Sequence, residues 1–350
     1  MFGKAHVAEA FRWSTQSEVE LAAILAAGFG MAGPALLGAA VGQFSLGLAA
    51  SIGAMAVDGA GMGRKAQLTA LAEAFVPAAF AVIAATFIAG HGWLSDAIIV
   101  MLAGAAAIIG GFNRLLAMAG IRFVVFLIIA AHATKGGDRG LGLLVPIALG
   151  ALWTSILGLT LSALVRAHRH LAADTDSAPP IGASTTRDFA RWKLSLASLS
   201  GWNYPLRLTL CLAVAAVLQS LWPEHHLYWI ALTIALLCQR QIEAFPVRTT
   251  QRAIGTAFGI AAASLLLSFK PPALGLALGI GVLAGLRPLL KARNYLAYSA
   301  VMTPLVMLIV DAGAPLEAGI LIDRFVATLI GAALTIFANL IFVKILTRPT

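Results

Sequence analysis

From Leu21 to Phe342 the sequence is a succession of long apolar runs separated by short polar gaps. No other feature constrains the fold as strongly. Roughly 20 apolar residues in a helix cross the hydrocarbon core of a bilayer. In lipid only helices and closed barrels satisfy every backbone N–H and C=O. The runs fall near 21–40, 42–57, 68–89, 96–112, 115–133, 141–165, 205–222, 226–238, 252–269, 273–286, 295–310 and 319–343. Counted by hydrophobic pattern they make about twelve spans, ten at the fewest, since the first two nearly fuse and the one at Tyr228 is short. The expected fold is therefore an all-α integral membrane protein.

Composition agrees. Of the 350 residues, 60% are hydrophobic and 11% charged, against about 25% charged in soluble domains. The net charge of +9 is scattered through short gaps rather than gathered on a basic surface. No nucleic-acid partner is expected, and the partner is the lipid bilayer. With the N-terminus inside, the gaps holding Arg64, Lys65, Arg114, Arg240, Arg248, Arg287, Lys291 and Arg293 all fall inside. Of the basic residues, Lys135, Arg139, Lys270 and Arg324 fall outside. This bias follows the positive-inside rule and favours an even number of spans with both termini cytoplasmic.

Residues 166–204 break the apolar pattern. Their first part is rich in Asp, Ser, Pro and Gly and reads as a linker. From Arg187, Phe189, Trp192, Leu196 and Leu199 recur at helical spacing, as in an amphipathic helix at the membrane surface. The first twenty residues, with "FRWS" at 11–14 against "ARWK" at 190–193, suggest a similar surface helix and no cleaved signal peptide. The expected organisation is a surface helix over 1–20, six spans over 21–165, a cytoplasmic linker over 166–204, six spans over 205–343, and a tail over 344–350. The strings "GFNRLL" at 111–116 and "GLRPLL" at 285–290 suggest two parallel six-helix halves, related by an axis along the membrane normal.

Enzyme signatures are lacking: no G-x-S-x-G, H-E-x-x-H or phosphate loop occurs, and no catalytic residue, cofactor or metal is expected. Cys211 and Cys238 are expected to be free thiols. His225-His226, beside Trp222, Pro223 and Tyr228, read as an interfacial belt, with a metal or proton role as the alternative.

Charges inside spans are costly and mark bundle interiors or water-filled paths. They are Glu73, Arg122, Arg207, Arg252, Asp323 and Arg324. Arg207 is expected to snorkel to the surface. Arg122 and Arg252 either snorkel or line an anion pathway, with Glu73 as a counter-ion. Arg252 is expected at the positive end of its own helix, which a cation disfavours unless something anionic offsets it. Arg252 and a Gly255-Thr256 turn are thus expected to anchor an organic anion, and Asp323 and Arg324 to pair with each other's neighbours or with Arg139 or Asp138 across the outer face. Glu73, His132 and Asp323 are the proton-coupling candidates, yet no acid falls at the membrane midplane. Pro34, Pro77, Pro146 and Thr303-Pro304 are expected to interrupt their spans, and broken helices are where transporters place substrates.

The C-terminal half resembles a known family. "YWIALTIALLCQRQIEAFPVRTTQRAIGTAFG" at 228–259 is similar to the signature of the fusaric acid resistance family of bacterial aromatic acid exporters, with Arg252, Gly255, Thr256 and Gly259 in its Arg-x-x-Gly-Thr-x-x-x-Gly positions. "RNYLAYSAVMTPLVMLI" at 293–309 resembles its second signature, carrying Asn294, Thr303 and Pro304. "RFVATLIGAALT" at 324–335 resembles its third, opening on Arg324. In the N-terminal half, 64–80 carries Glu73 and Pro77 where the first signature would fall. One six-span half also looks like the plant aluminium-activated malate transporters.

The resemblance implies a multi-pass protein of the bacterial inner membrane. It would export aromatic or other organic carboxylates, driven by the proton gradient, with Arg252, Gly255, Thr256, Arg122, Asn294, Thr303, Pro304 and Arg324 at the substrate. A passive anion channel on a pseudo-two-fold axis is the alternative, and a membrane scaffold a third. A homo-oligomer and a periplasmic adaptor are both open as partners.

Overall fold

A computed structural model describes residues 11–14, 19–56, 64–133, 142, 144–169, 185–240, 247–310 and 318–346. Among these residues there are thirteen helices and no strand. The first six are α1 (Leu21–Ala40), α2 (Phe44–Ala56), α3 (Arg64–Ile88), α4 (Trp93–Ile109), α5 (Arg114–Ala133) and α6 (Leu144–Arg169). α7 (Thr185–Leu196) is the amphipathic helix expected in the linker. The rest are α8 (Leu199–Leu221), α9 (Tyr228–Leu237), α10 (Val247–Ser268), α11 (Ala273–Arg293), α12 (Tyr295–Val310) and α13 (Ala318–Leu346).

Every apolar run read from the sequence is thus a helix. Seven of them, α1, α3, α5, α6, α8, α11 and α13, are long and apolar enough to cross a membrane. Between 28% and 39% of each of those spans is buried inside the protein. The remainder is apolar yet exposed, as at Phe29, Phe80, Phe87, Leu278 and Phe337. Such a surface is stable against lipid, not water. α2, α4, α9 and α12 are apolar but shorter. At the N-terminus, residues 1–10 and 15–18 lie outside the described residues, and Arg12, Trp13 and Ser14 are not helical.

The chain forms two compact units, each drawing helices from both ends of the sequence. Unit 1 comprises 1–75, 142–180 and 250–317, and unit 2 comprises 76–141, 181–249 and 318–350. In unit 1, α1 packs on α2, α6 and α11, while α2 packs on α6 and α12, and α12 on α11. In unit 2, α8 packs on α9, α13 and α4, while α9 packs on α13 and α5, and α5 on α4. Exchange α1, α2, α6, α11 and α12 for α8, α9, α13, α4 and α5, and the first set of pairs becomes the second. The core of unit 1 gathers Met31, Ala35, Leu48, Ile280, Leu305 and Leu308.

Two helix starts occupy matching places in these sets. Before α5, Asn113 Oδ1 accepts from the Leu116 N–H at 2.8 Å. Before α12, Asn294 Oδ1 accepts from the Ala297 N–H at 3.0 Å. Both are helix N-caps. This corrects the register expected from sequence: "GLRPLL" at 285–290 lies inside α11, and the counterpart of 111–116 is the Asn294 junction.

The prolines do not break their helices. α1, α3 and α12 run through Pro34, Pro77 and Pro304, and Pro146 sits in the first turn of α6, where no helical N–H is lost. Pro34 leaves the Gly30 carbonyl without its helical N–H, and neighbouring helices bond the carbonyls on either side of it. Ser51 Oγ donates to Met31 O at 2.8 Å, and Trp153 Nε1 donates to Phe29 O at 3.2 Å.

Candidate functional site

Unit 2 carries polar clusters at both ends of its helices. At the end formed by residues 222–227, α8 turns into α9 and α13 begins. There Asp323 is gripped by the loop: His225 Nδ1 lies 2.8 Å from Oδ1, and the His226 backbone N–H donates to Oδ2 at 3.1 Å. The next residue, Arg324, is buried with its guanidinium 3.6 Å over the Trp229 ring. Packed under the same loop, His132 at the end of α5 stacks on Tyr228, ring centroids 3.6 Å apart and planes 17° apart. Asp138 and Arg139, the partners expected for Asp323 and Arg324, lie outside the described residues.

A cavity opens at this end. Its mouth, about 500 Å³, is lined by Trp93, Ser95, Asp96, His132, Gln219, Ser220, Glu224, His225, His226 and Tyr228. It narrows to a slot of about 40 Å³ between α4, α5, α8 and α9, walled by Ile99, Val100, Ile128, Ala131, Leu212, Ala216 and Ala231. Asp96, His132, Gln219 and Tyr228 border both parts.

The opposite end of unit 2 lies about 24 Å away, measured from Asp323 to Asn339 along α13. Arg207 is fully buried there, against the expectation that it snorkels. Its Nε donates to Asn203 Oδ1 at 2.6 Å, Nη2 donates to Gln239 O at 2.7 Å, and Nη1 bonds Asn339 Oδ1. Amide oxygens replace the water a snorkelling arginine would seek, so burial is tolerated. Arg240 Nη2 caps the C-terminal end of α4 through Ala107 O at 2.6 Å, and Trp192 of α7 donates to Ile108 O at 3.0 Å. The amphipathic helix is thereby pinned to the end of α4. Arg122 is partly buried on α5, its Nη1 without a hydrogen-bond partner among the described residues.

Unit 1 holds Arg252, Gly255, Thr256, Asn294, Thr303 and Pro304. α10 begins at Val247, so Arg252 lies in its second turn and Gly255-Thr256 is helical rather than a turn. The expected clash of Arg252 with its helix dipole is correspondingly reduced, because that effect fades beyond the first turn. Gly255 and Gly259 let α10 approach α12: a Cβ on Gly255 would stand 2.5 Å from Leu296 O, and one on Gly259 2.6 Å from Thr303 Cβ. Thr303 Oγ1 donates to Ser299 O within its own helix at 3.0 Å, and Asn294 serves as a helix cap. Arg252 Nε and Thr256 Oγ1, one turn apart on the same face of α10, are buried without a hydrogen-bond partner among the described residues. Glu73 is partly buried on α3.

The structure therefore places Arg122, Arg324, His132 and Asp323 in unit 2, and the other sequence candidates in unit 1. Of these, His132 lines the cavity while Asp323 is held by the His225 and His226 of its rim, and Arg252, Gly255 and Thr256 share a stretch of α10 beside Thr303. Sequence reasoning missed the grip of His225 and His226 on Asp323, the role of Asp96 and Gln219 in the cavity, and the Asn203–Arg207–Asn339 cluster. Asp96 in the first turn of α4 beside Trp93 was the one legible signal. Both cysteines are free and buried.

Residues 210–338, from within α8 to within α13, match the family model described as fusaric acid resistance protein-like. This segment is similar to the fusaric acid resistance protein-like family. That segment contains Arg252, Asn294, Thr303 and Arg324, and with seven helices fit to cross a membrane it marks a multi-pass membrane protein. A Haemophilus influenzae protein described only as uncharacterized is 33% identical over 138 residues, which cover 39% of this chain and 19% of that protein. The likeness therefore spans about a fifth of that relative. No solved structure matches the chain significantly.

Proposed function

We propose that this protein exports aromatic or other organic carboxylic acids across the bacterial inner membrane, driven by the proton gradient. One observation carries the reading. Within the segment that matches the fusaric acid resistance protein-like model, two arginines, Arg287 and Arg324, are buried among apolar helices. A cation buried among apolar helices is costly and is one of the marks of a path for anions. Arg252, with Thr256 one turn on, holds a buried guanidinium nitrogen and hydroxyl without a hydrogen-bond partner among the described residues, beside the α10–α12 contact.

The matching helix pairs of the two units support a finer reading of the fold. Twelve helices, all but α7, form two parallel six-helix halves with both termini cytoplasmic. The second half begins at α8, and α4–α5 and α11–α12 are exchanged between the units. The positive-inside bias then sets the cavity of unit 2 at the outer face.

The experiment is a tolerance assay. Bacteria lacking their own aromatic acid efflux and expressing this protein should accumulate several-fold less benzoate or hydroxybenzoate and grow at higher concentrations of it. Equal accumulation with and without the protein, confirmed in the membrane, contradicts the proposal.

A further inference from the structure

We infer that the cavity of unit 2 binds the neutral, protonated form of an aromatic carboxylic acid, an inference that rests on the export reading above. The shape sets the first requirement. A mouth of about 500 Å³ leads to an apolar slot of about 40 Å³, and an engineered apolar cavity of roughly 150 Å³ already accepts benzene. The mouth therefore has room for a single ring, while the slot takes only its edge or a ring substituent. Trp93 and the stacked His132–Tyr228 pair supply flat walls for such a ring.

The chemistry sets the second requirement. Among the described lining residues are two carboxylates, Asp96 and Glu224, and a third, Asp323, is held against the His225 and His226 that form the rim. A carboxylate ligand entering here meets like charge, which disfavours it. A neutral carboxyl or amide instead meets the Gln219 side-chain amide, a donor and an acceptor in one group, and the Ser220 hydroxyl oxygen, which can still accept while donating to Val217 O. The site thus selects the ionisation state of its ligand. A neutral acid also carries its own proton across the membrane.

The test uses the full-length protein in detergent or nanodiscs at pH 7.5, with three probes of one size: benzamide, benzoate and benzylamine. Benzamide, the neutral probe, should bind at least tenfold more tightly than benzoate and than benzylamine. Asp96→Asn should raise benzoate affinity several-fold and leave benzamide within twofold. Ala216→Phe, which fills the slot, should weaken benzamide at least tenfold. The wild-type ranking decides even if that variant does not fold. Benzoate or benzylamine binding as tightly as benzamide, or no probe binding, overturns the inference.

Benzoate flux in liposomes separates this inference from the export reading. A wild-type protein that moves benzoate but binds no benzamide keeps the export reading and overturns the inference alone. A wild-type protein that binds benzamide in the expected order but moves no carboxylate keeps the site and removes the export reading.

Discussion

The guanidinium of Arg324 lies 3.6 Å above the ring of Trp229. The residue before it, Asp323, takes the backbone N–H of His226 and the ring of His225. Two adjacent residues of α13 thereby hold the start of α9 from two sides, one by charge over an aromatic face and one by hydrogen bonds. A desolvated cation–π contact is worth about 2 kcal/mol. Trp229→Leu and Arg324→Met should each destabilise the folded protein, and a double-mutant cycle should return a coupling of about 1–2 kcal/mol. Denaturant titration of the four proteins in detergent reads this directly. A coupling indistinguishable from zero means the stacking is incidental to packing.

Two glycines of unit 1 should respond oppositely to alanine. A Cβ on Gly255 meets Leu296 O at 2.5 Å, whereas one on Gly279 meets only Leu266 Cδ2, at 3.9 Å. Gly255→Ala should destabilise by about 1–3 kcal/mol through overpacking. Gly279→Ala should be neutral or stabilise by up to about 1 kcal/mol, because alanine is the better helix former. Thermal unfolding of the pair checks the order, and equal midpoints would contradict the α10–α12 contact.

If Arg252 and Thr256 meet the substrate, Arg252→Ala and the near-isosteric Thr256→Val should cut carboxylate flux at least about tenfold, the size of one lost charge-assisted hydrogen bond. Both proteins should still run as folded species in size-exclusion chromatography. Folded Arg252→Ala protein that transports normally removes this residue from the path.

The matched helix pairs predict how the chain behaves when cut. A nick between Arg169 and Thr185 leaves α1–α6 on one fragment and α7–α13 on the other, while each compact unit needs helices from both. Co-expressed fragments should therefore purify together through a tag on either one. Each fragment alone should aggregate, with the partners of α1 or α8 missing. Fragments that fold independently and do not associate would refute the exchange of helices.

Hydropathy made the helices legible, because apolar helices of 10–29 residues had no stable alternative in lipid. What stayed hidden depends on partners far along the chain. Pro34 reads as a break, yet the helix runs through it, and Ser51 and Trp153, 20 and 124 residues from the carbonyls they take, bond the turn beside it. Arg207 reads as a snorkelling residue until Asn339, 132 positions on, closes around it. The repeat register was misread because "GFNRLL" and "GLRPLL" look alike as strings, whereas the shared feature is a capping asparagine whose neighbours differ. The family signatures marked Arg252 and Arg324, but hydropathy carries no sign of a cavity, so Asp96 and Gln219 went unnoticed.

The central claim is proton-driven export of organic carboxylates, and purified protein in liposomes tests it most directly. With an imposed pH gradient, benzoate should accumulate above its equilibrium distribution and return to it when the gradient is collapsed, while protein-free liposomes show only passive equilibration. Benzoate flux that merely follows the anion's own electrochemical gradient, unchanged by the pH gradient, would make the protein a passive channel and contradict the account.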